Sequence, residues 1–244
     1  MSLSGLSSLP SRLGTNHRLT SSERLRLKVE LLVPALARPG ALLVEHPRAR
    51  ELFPQYMAAS YQMARTMVPL MEAALGRARD LAPTDPVAEG LAAYLERHIP
   101  EELHGEEPGG AALDDLEVLG IDRVALQAQL PPPKMAALLG AQYFWIFHYH
   151  PVAILGFLHL EHYHPHGPSL ERFIERTGLP RDGFRQLLIH AKLDAVHARE
   201  LDRVFDSLPL EPRHEQLIGL SALQTVALLT EVWLDVVDTE SAVE

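Results

Sequence analysis

GFRQLLIHAKLDAVHARELDRVF, residues 183–205, is the stretch that decides how this chain is read. Its patterning is that of one helix. At 3.6 residues per turn, steps of four and three keep His190, Asp194 and His197 within about 60° of one another. Two imidazoles and a carboxylate then point the same way from an otherwise well-patterned helix. Such a triplet is either half of a metal site or a costly accident.

The surrounding chain favours helices throughout. Hydrophobic residues make up 47% of the 244, with many Ala and Leu and few aromatics, which selects helix over strand and suffices for a buried core. No strand alternation is sustained and no repeat of 20–50 residues stands out. The expected fold class is all-α, a single-domain bundle of seven to nine helices. Residues 1–20 read as a flexible leader, 21–238 as the helical domain and 239–244 as a frayed tail.

The chain is cut into helices by its Pro and Gly residues. Helix 1 is expected from Ser21 to about Ala37, ahead of Pro39-Gly40, and a longer helical stretch over 47–80 is expected to be bent or divided by Pro54 and Pro69. Asp85-Pro86 is an N-cap followed by proline at the first helical position. The helix that follows runs through AYLERHIPEELHGEE and kinks at Pro100. A short helix LDDLEVL stops at Gly120, and 121–130 is helical ahead of Pro131-Pro132-Pro133. An apolar segment covers 134–163, a small helix starts at Ser169, and a last helix spans 213–237.

Several function classes drop out on charge and composition. The net charge is −10 with no Lys/Arg stripe, so nucleic acid is not an expected partner. Cysteine is absent, which removes disulfides, thiolate metal sites and a Cys nucleophile. The segment 135–160 is broken by Gln142, His148, His150 and Pro151, too polar for a membrane span. The N-terminus lacks the basic start and apolar block of a secretory signal. The expected location is the cytoplasm.

Metal sites in helical bundles use Glu-x-x-His on one helix, with further carboxylates from others. Glu101-x-x-His104, Asp194-x-x-His197, Glu161-x-x-His164 and Glu211-x-x-His214 all fit that spacing. With 32 acids and 13 histidines, about two matches arise by chance, so position has to discriminate. Ten of the 13 histidines fall between 98 and 197. Glu211 is set aside as a helix-entry residue beside Pro212 and Arg213, and His162, His164 and His166 around Pro165 read as a polar loop. Glu161 follows the apolar run AILGFLHL, where a carboxylate is expensive unless it is paired or holds a cation. Glu101, His104, Glu161, His190, Asp194 and His197 together offer three carboxylates and three imidazoles. Mixed N/O ligation without sulfur suits iron or manganese, with zinc as a further option. Against this stand plainer readings: EELHGEE as a charged surface run, Glu161 as a wet helix end, and the triplet as a solvated face. His98 falls about 120° off the His104 face, whereas Arg97 shares that face and can pair with an acid. His148 and His150 read as satisfied core histidines. Tyr143, Phe144, Trp145, Phe147 and Phe157 read as core packing, with a substrate pocket as the alternative.

The runs HIPEELHGEE, DDLEVLG, GFLHLE and HAKLDAVH, in that order, resemble the haem-oxygenase-like non-haem diiron oxidases and oxygenases. These share a fold of seven to eight helices with the TenA and PqqC proteins, and the likeness covers about residues 85–205. The resemblance implies two Fe(II) ions, with Mn as an alternative, and O2 as co-substrate. The implied metal ligands are Glu101, His104, Glu161, His190, Asp194 and His197, with Glu101, Glu161 and Asp194 as catalytic residues and Glu161 as the candidate bridge. It implies oxidation of a small organic substrate, amino-acid-like or fatty-acid-like, with an unidentified electron donor and a homodimer as one arrangement of the chain. Tyr94 and Arg97 occupy turns where some relatives carry a further carboxylate. The lack of Cys argues against a TenA-type thiaminase. Two other functions fit the same residues: a metal-independent enzyme of the TenA/PqqC-like fold using His/acid proton transfer, and a non-enzymatic metal-binding or interaction protein.

Overall fold

The computed structural model describes the backbone of residues 19–103, 109–161 and 167–238, and their side chains apart from 161, 167, 168 and 190–197. Among the described residues are eleven α-helices, two 3-10 turns and no strand. The all-α expectation holds. The expected leader (1–18 of its residues) and tail (239–244) lie outside the described residues.

Local chemistry sets most helix ends. Thr20 caps α1 (Ser21–Glu30) in a reciprocal box: its side chain accepts the Glu23 N–H, and Glu23 accepts the Thr20 N–H. The break after α1 falls at Leu31–Leu32, not at Pro39. Pro34 sits in the first turn of α2 (Val33–Glu45), where its missing N–H costs nothing, and Pro39 lies buried inside that helix. α3 (Ala49–Leu81) runs unbroken for 33 residues through Pro54 and Pro69. Asp85 then starts α4 (Pro86–Leu103) as expected, its Oδ1 accepting the N–H groups of Val87 and Ala88. α5 (Gly110–Val118) is followed by Gly120 at φ +88°, a left-handed conformation that favours glycine. Asp122 caps the short α6 (Arg123–Ala128).

The apolar segment 134–163 is not one helix. α7 (Pro133–His148) ends at Tyr149, a 3-10 turn covers Pro151–Ala153, and α8 (Ile154–Glu161) continues from it. Pro151 cannot supply the N–H that would carry α7 onward. α9 (Gly167–Thr177) leads into a second 3-10 turn at Arg181–Phe184, then α10 (Arg185–Ser207) and α11 (Pro212–Val237). These extra breaks bring the helix count above the seven to nine expected from sequence.

α11 is the central strut. It packs against α1, α2, α3, α7 and α8. Its length and apolarity would allow it to cross a membrane, but half of that apolar window is buried against the other helices. The principal core joins residues of α1–α4, α7, α8, α10 and α11, including Leu95, Met135, Phe157, Phe205 and Ile218. A second cluster gathers Phe53, Leu116, Phe173 and Phe184 under α5 and α9. Between α7 and α11, Gln142 donates to Thr225 and accepts from Ser221, so three buried polar side chains satisfy each other.

The tightest approach is α8 on α11. A Cβ on Gly156 would lie 2.2 Å from the Ile218 carbonyl oxygen and 2.8 Å from the Ala222 nitrogen. Both are backbone atoms that cannot rotate away. Gly156→Ala is therefore expected to destabilise the protein by about 3 kcal/mol, a fall in Tm of roughly 6–12 °C for a chain of this size. Gly140→Ala on α7, where nothing lies within 4 Å, is expected to stabilise by about 0.5–1 kcal/mol. Thermal unfolding of the two variants beside wild type checks both.

Candidate functional site

α10 carries the triplet His190, Asp194 and His197 on one helix, as its patterning predicts. The three side chains lie outside the described residues, but the anchors of the helix do not. At its start, Phe184 is fully buried and stacks on Phe53 at 4.4 Å. Asp115 of α5, also buried, accepts the Gln186 N–H at 2.8 Å and the Arg185 Nε at 3.1 Å. Burial pushes the Asp115 carboxyl above its ordinary value, while Gln186 and Arg185 pull the other way. At the other end, Asp206 accepts both the N–H and the hydroxyl of Ser22 at 2.9 Å, and Arg26 pairs with Asp202. One turn forward on α1 is thus one turn back on α10, so the two run antiparallel.

α8 is apolar and buried from Ile154 to Leu160, and Glu161 is its last residue. The Glu161 side chain lies outside the described residues. His159 sits against the Phe205 ring of α10, and burial pushes its imidazole down to about 4, so it is neutral at pH 7. On α4, Glu101 is half-exposed with Oε2 at 3.5 Å from His98 Nδ1. Its neighbour Glu102 is the more buried carboxylate, 3.2 Å from His98 Nε2, and Tyr94 stacks on the same ring. His104 and residues 162–166, His164 among them, lie outside the described residues. Arg97 donates to the Ala93 carbonyl. Of the aromatic set, only Phe157 is core; Phe144 and Phe147 are about half exposed, and Tyr143 and Trp145 are partly buried.

A second group of donors lies elsewhere. Asp85, His150 and His214 bring one potential ligand atom each to within 4.8 Å of one another. Nothing in their spacing foretells this: Asp85 reads as a helix cap, His150 as a core histidine and His214 as part of a helix entry. The hydrogen bonds show what the cluster does. His150 Nδ1 accepts the Val152 N–H at 3.1 Å, and His214 Nδ1 accepts the Glu211 N–H at 3.2 Å. A neutral imidazole holds one proton, so in both rings it sits on Nε2. His150 gives that proton to Asp85 Oδ2 at 3.1 Å. His214 Nε2 is buried with no hydrogen-bond partner among the described residues. A metal at either Nε2 would force a proton onto Nδ1, directly facing a backbone N–H. The cluster therefore does not fit a metal ion; it fastens the starts of α4, the first 3-10 turn and α11.

The family described as "Iron-containing redox enzyme" matches residues 89–230, more than half of the chain. The chain belongs to that family. Glu101, His104, Glu161, His190, Asp194 and His197 all fall inside the matched residues, and Asp85 falls before them. A solved domain of unknown function with a heme oxygenase-like fold, from Shewanella denitrificans OS217, aligns with TM-score 0.71 at 16% identity, over 92% of this chain and 95% of that one. A TenA homolog from Pseudomonas syringae pv. tomato str. DC3000 aligns with TM-score 0.57 at 14% identity, over 93% and 100%. These likenesses establish the haem-oxygenase-like fold. No curated protein matches the chain. The six residues expected from the sequence as ligands, three carboxylates and three imidazoles without sulfur, are of chemical types suited to the iron that the family description names.

The pH dependence of the Asp85 cluster follows from its burial. Desolvation lowers both His150 and His214, and Arg213 lowers His214 further. Burial alone would raise Asp85, but hydrogen bonds from Ala88, His150 and Val87 hold it below the usual carboxylate range. The folded state keeps both imidazoles neutral, whereas the unfolded chain takes up protons below about pH 6.5. Stability is thus lost as pH falls from there through the lowered folded values. His159 adds a slope of the same sign. Gln at 214 keeps an acceptor for the Glu211 N–H and cannot titrate. His214→Gln is expected to flatten the fall in Tm between pH 7 and 5 relative to wild type, and to leave bound iron per chain unchanged, by thermal scans and metal analysis.

Proposed function

We propose that the protein is an iron-dependent oxidoreductase that activates O2 at a dinuclear non-haem site to oxidise a small organic substrate. The membership of the chain in the iron-containing redox family carries this reading, because all six N/O donors fall inside the matched residues. The proposed ligands are Glu101, His104, Glu161, His190, Asp194 and His197. Bound iron supplies the redox chemistry. The carboxylates of Glu101, Glu161 and Asp194 offset most of the charge of two divalent ions, and Glu161 is the proposed bridge. Mn(II) suits the same donors.

The helix arrangement supports the grouping. α4, α8 and α10 contribute to one core, and α8 packs on α10. A Cβ on Gly90 would lie 2.5 Å from the side chain of Leu208, the residue that ends α10. The buried run from Ile154 to Leu160 and the neutral His159 exclude water on the α8 side. The substrate is proposed to be amino-acid-like or fatty-acid-like, with the electron donor supplied separately, in the cytoplasm.

The test is anaerobic addition of Fe(II), metal analysis per chain, then admission of O2 with optical detection. About two irons per chain and an O2-dependent transient are expected. Iron uptake without any reaction with O2 favours storage, and no uptake removes the reading. Glu161→Ala is expected to lower bound iron to about one per chain or less; unchanged stoichiometry takes Glu161 out of the site.

A further inference from the structure

We propose that Asp115 is a positioning residue for the metal centre, tying the chain that follows Glu101 and His104 to the first turn of the helix that carries His190, Asp194 and His197. The proposal deepens the iron reading above and rests on it. α5 begins six residues after His104, and Asp115 lies in its middle. Its carboxylate reaches the Gln186 N–H and Arg185 Nε, and Gln186 stands one turn before His190.

Three observations separate this contact from ordinary surface pairing. Asp115 is 1% exposed, so its carboxylate has these donors in place of water. Phe184, the cap residue of α10, provides no side-chain cap, so the buried Asp115 takes over that task from another helix. The contact is also held on both flanks: Leu119 of the same region packs against Gly183, where a Cβ would meet it at 2.5 Å, and Phe184 is locked between Phe53 and Phe173. Asp115 thus tethers the start of α10 among the described residues, and it comes from the element next along the chain from Glu101 and His104. Residues that orient metal ligands without touching the metal typically change affinity by about 10–100-fold when removed.

The experiment uses Co(II) as the probe metal, read by its visible absorption under anaerobic conditions, with hydrogen exchange of the 186–197 amides as a readout independent of metal. Asp115→Ala is expected to weaken Co(II) binding by about tenfold or more, to change the band shape, and to raise exchange at the start of α10. Asp115→Asn keeps an oxygen for the Gln186 N–H and is expected to recover most of both. A folded Asp115→Ala with wild-type affinity, spectrum and exchange overturns the role, as does a lowered Tm with an unchanged Co(II) spectrum. If Asp115→Ala does not fold, Arg185→Gln loosens the same tether, and affinity within about twofold of wild type with wild-type exchange overturns the role. Wild-type protein that takes up neither Co(II) nor Fe(II) overturns the iron reading and this role together; wild-type binding with an indifferent Asp115 overturns this role alone.

Discussion

The contact of Gly156 with the backbone of α11 is the constraint around which the other helices are arranged. Two helix backbones meet there with room for a hydrogen and nothing larger. α8 can approach so closely because its sequence gives it no polar face to hydrate: every residue from Ile154 to Leu160 is buried. α7 is pinned to the same region of α11 by the Gln142–Ser221–Thr225 bonds, which would be costly to leave unmade. With α11 as the wall, the last residue of α8, Glu161, is delivered at a set point in the chain's path.

α10 is held in a different way. Its ends are fixed by polar contacts, and those contacts are unequal. Arg26 and Asp202 are partly exposed, and a pair of that kind contributes about 0–1 kcal/mol. Asp206 does more, since it accepts two hydrogen bonds from Ser22 at the start of α1. Asp115 is the extreme case, a buried carboxylate whose donors lie in the first turn of α10. The triplet sits between these anchors, so errors at either end are transmitted along a rigid helix to all three residues together.

The Asp85–His150–His214 cluster shows why proximity alone does not make a metal site. Three ligand types converge, two of them deeply buried, in a family described by its iron. The Val152 and Glu211 N–H groups occupy both Nδ1 lone pairs, and this assigns the protons to the other side of each ring. The direction of two backbone N–H groups decides between a fastening and a metal centre.

The helical class, the cap at Asp85, the stop at Gly120 and the common helix of His190, Asp194 and His197 were all legible in the sequence. Each depends on contacts within a few residues, and local propensity and spacing encode those directly. Pro39 was misleading: it reads as a helix end but lies buried inside α2, where packing holds the chain through the lost hydrogen bond, whereas Pro54 and Pro69 lie inside the long helix expected over 47–80. The order of the Glu101, His104, Glu161 and triplet motifs was also readable, and all of them fall within the residues that the family matches. What only the tertiary structure decided are the pairings across long separations, Asp115 with Gln186, Ser22 with Asp206, and Asp85 with His150 and His214. No periodicity records them, because they depend on which helix faces meet, and that is settled by burial of the whole core.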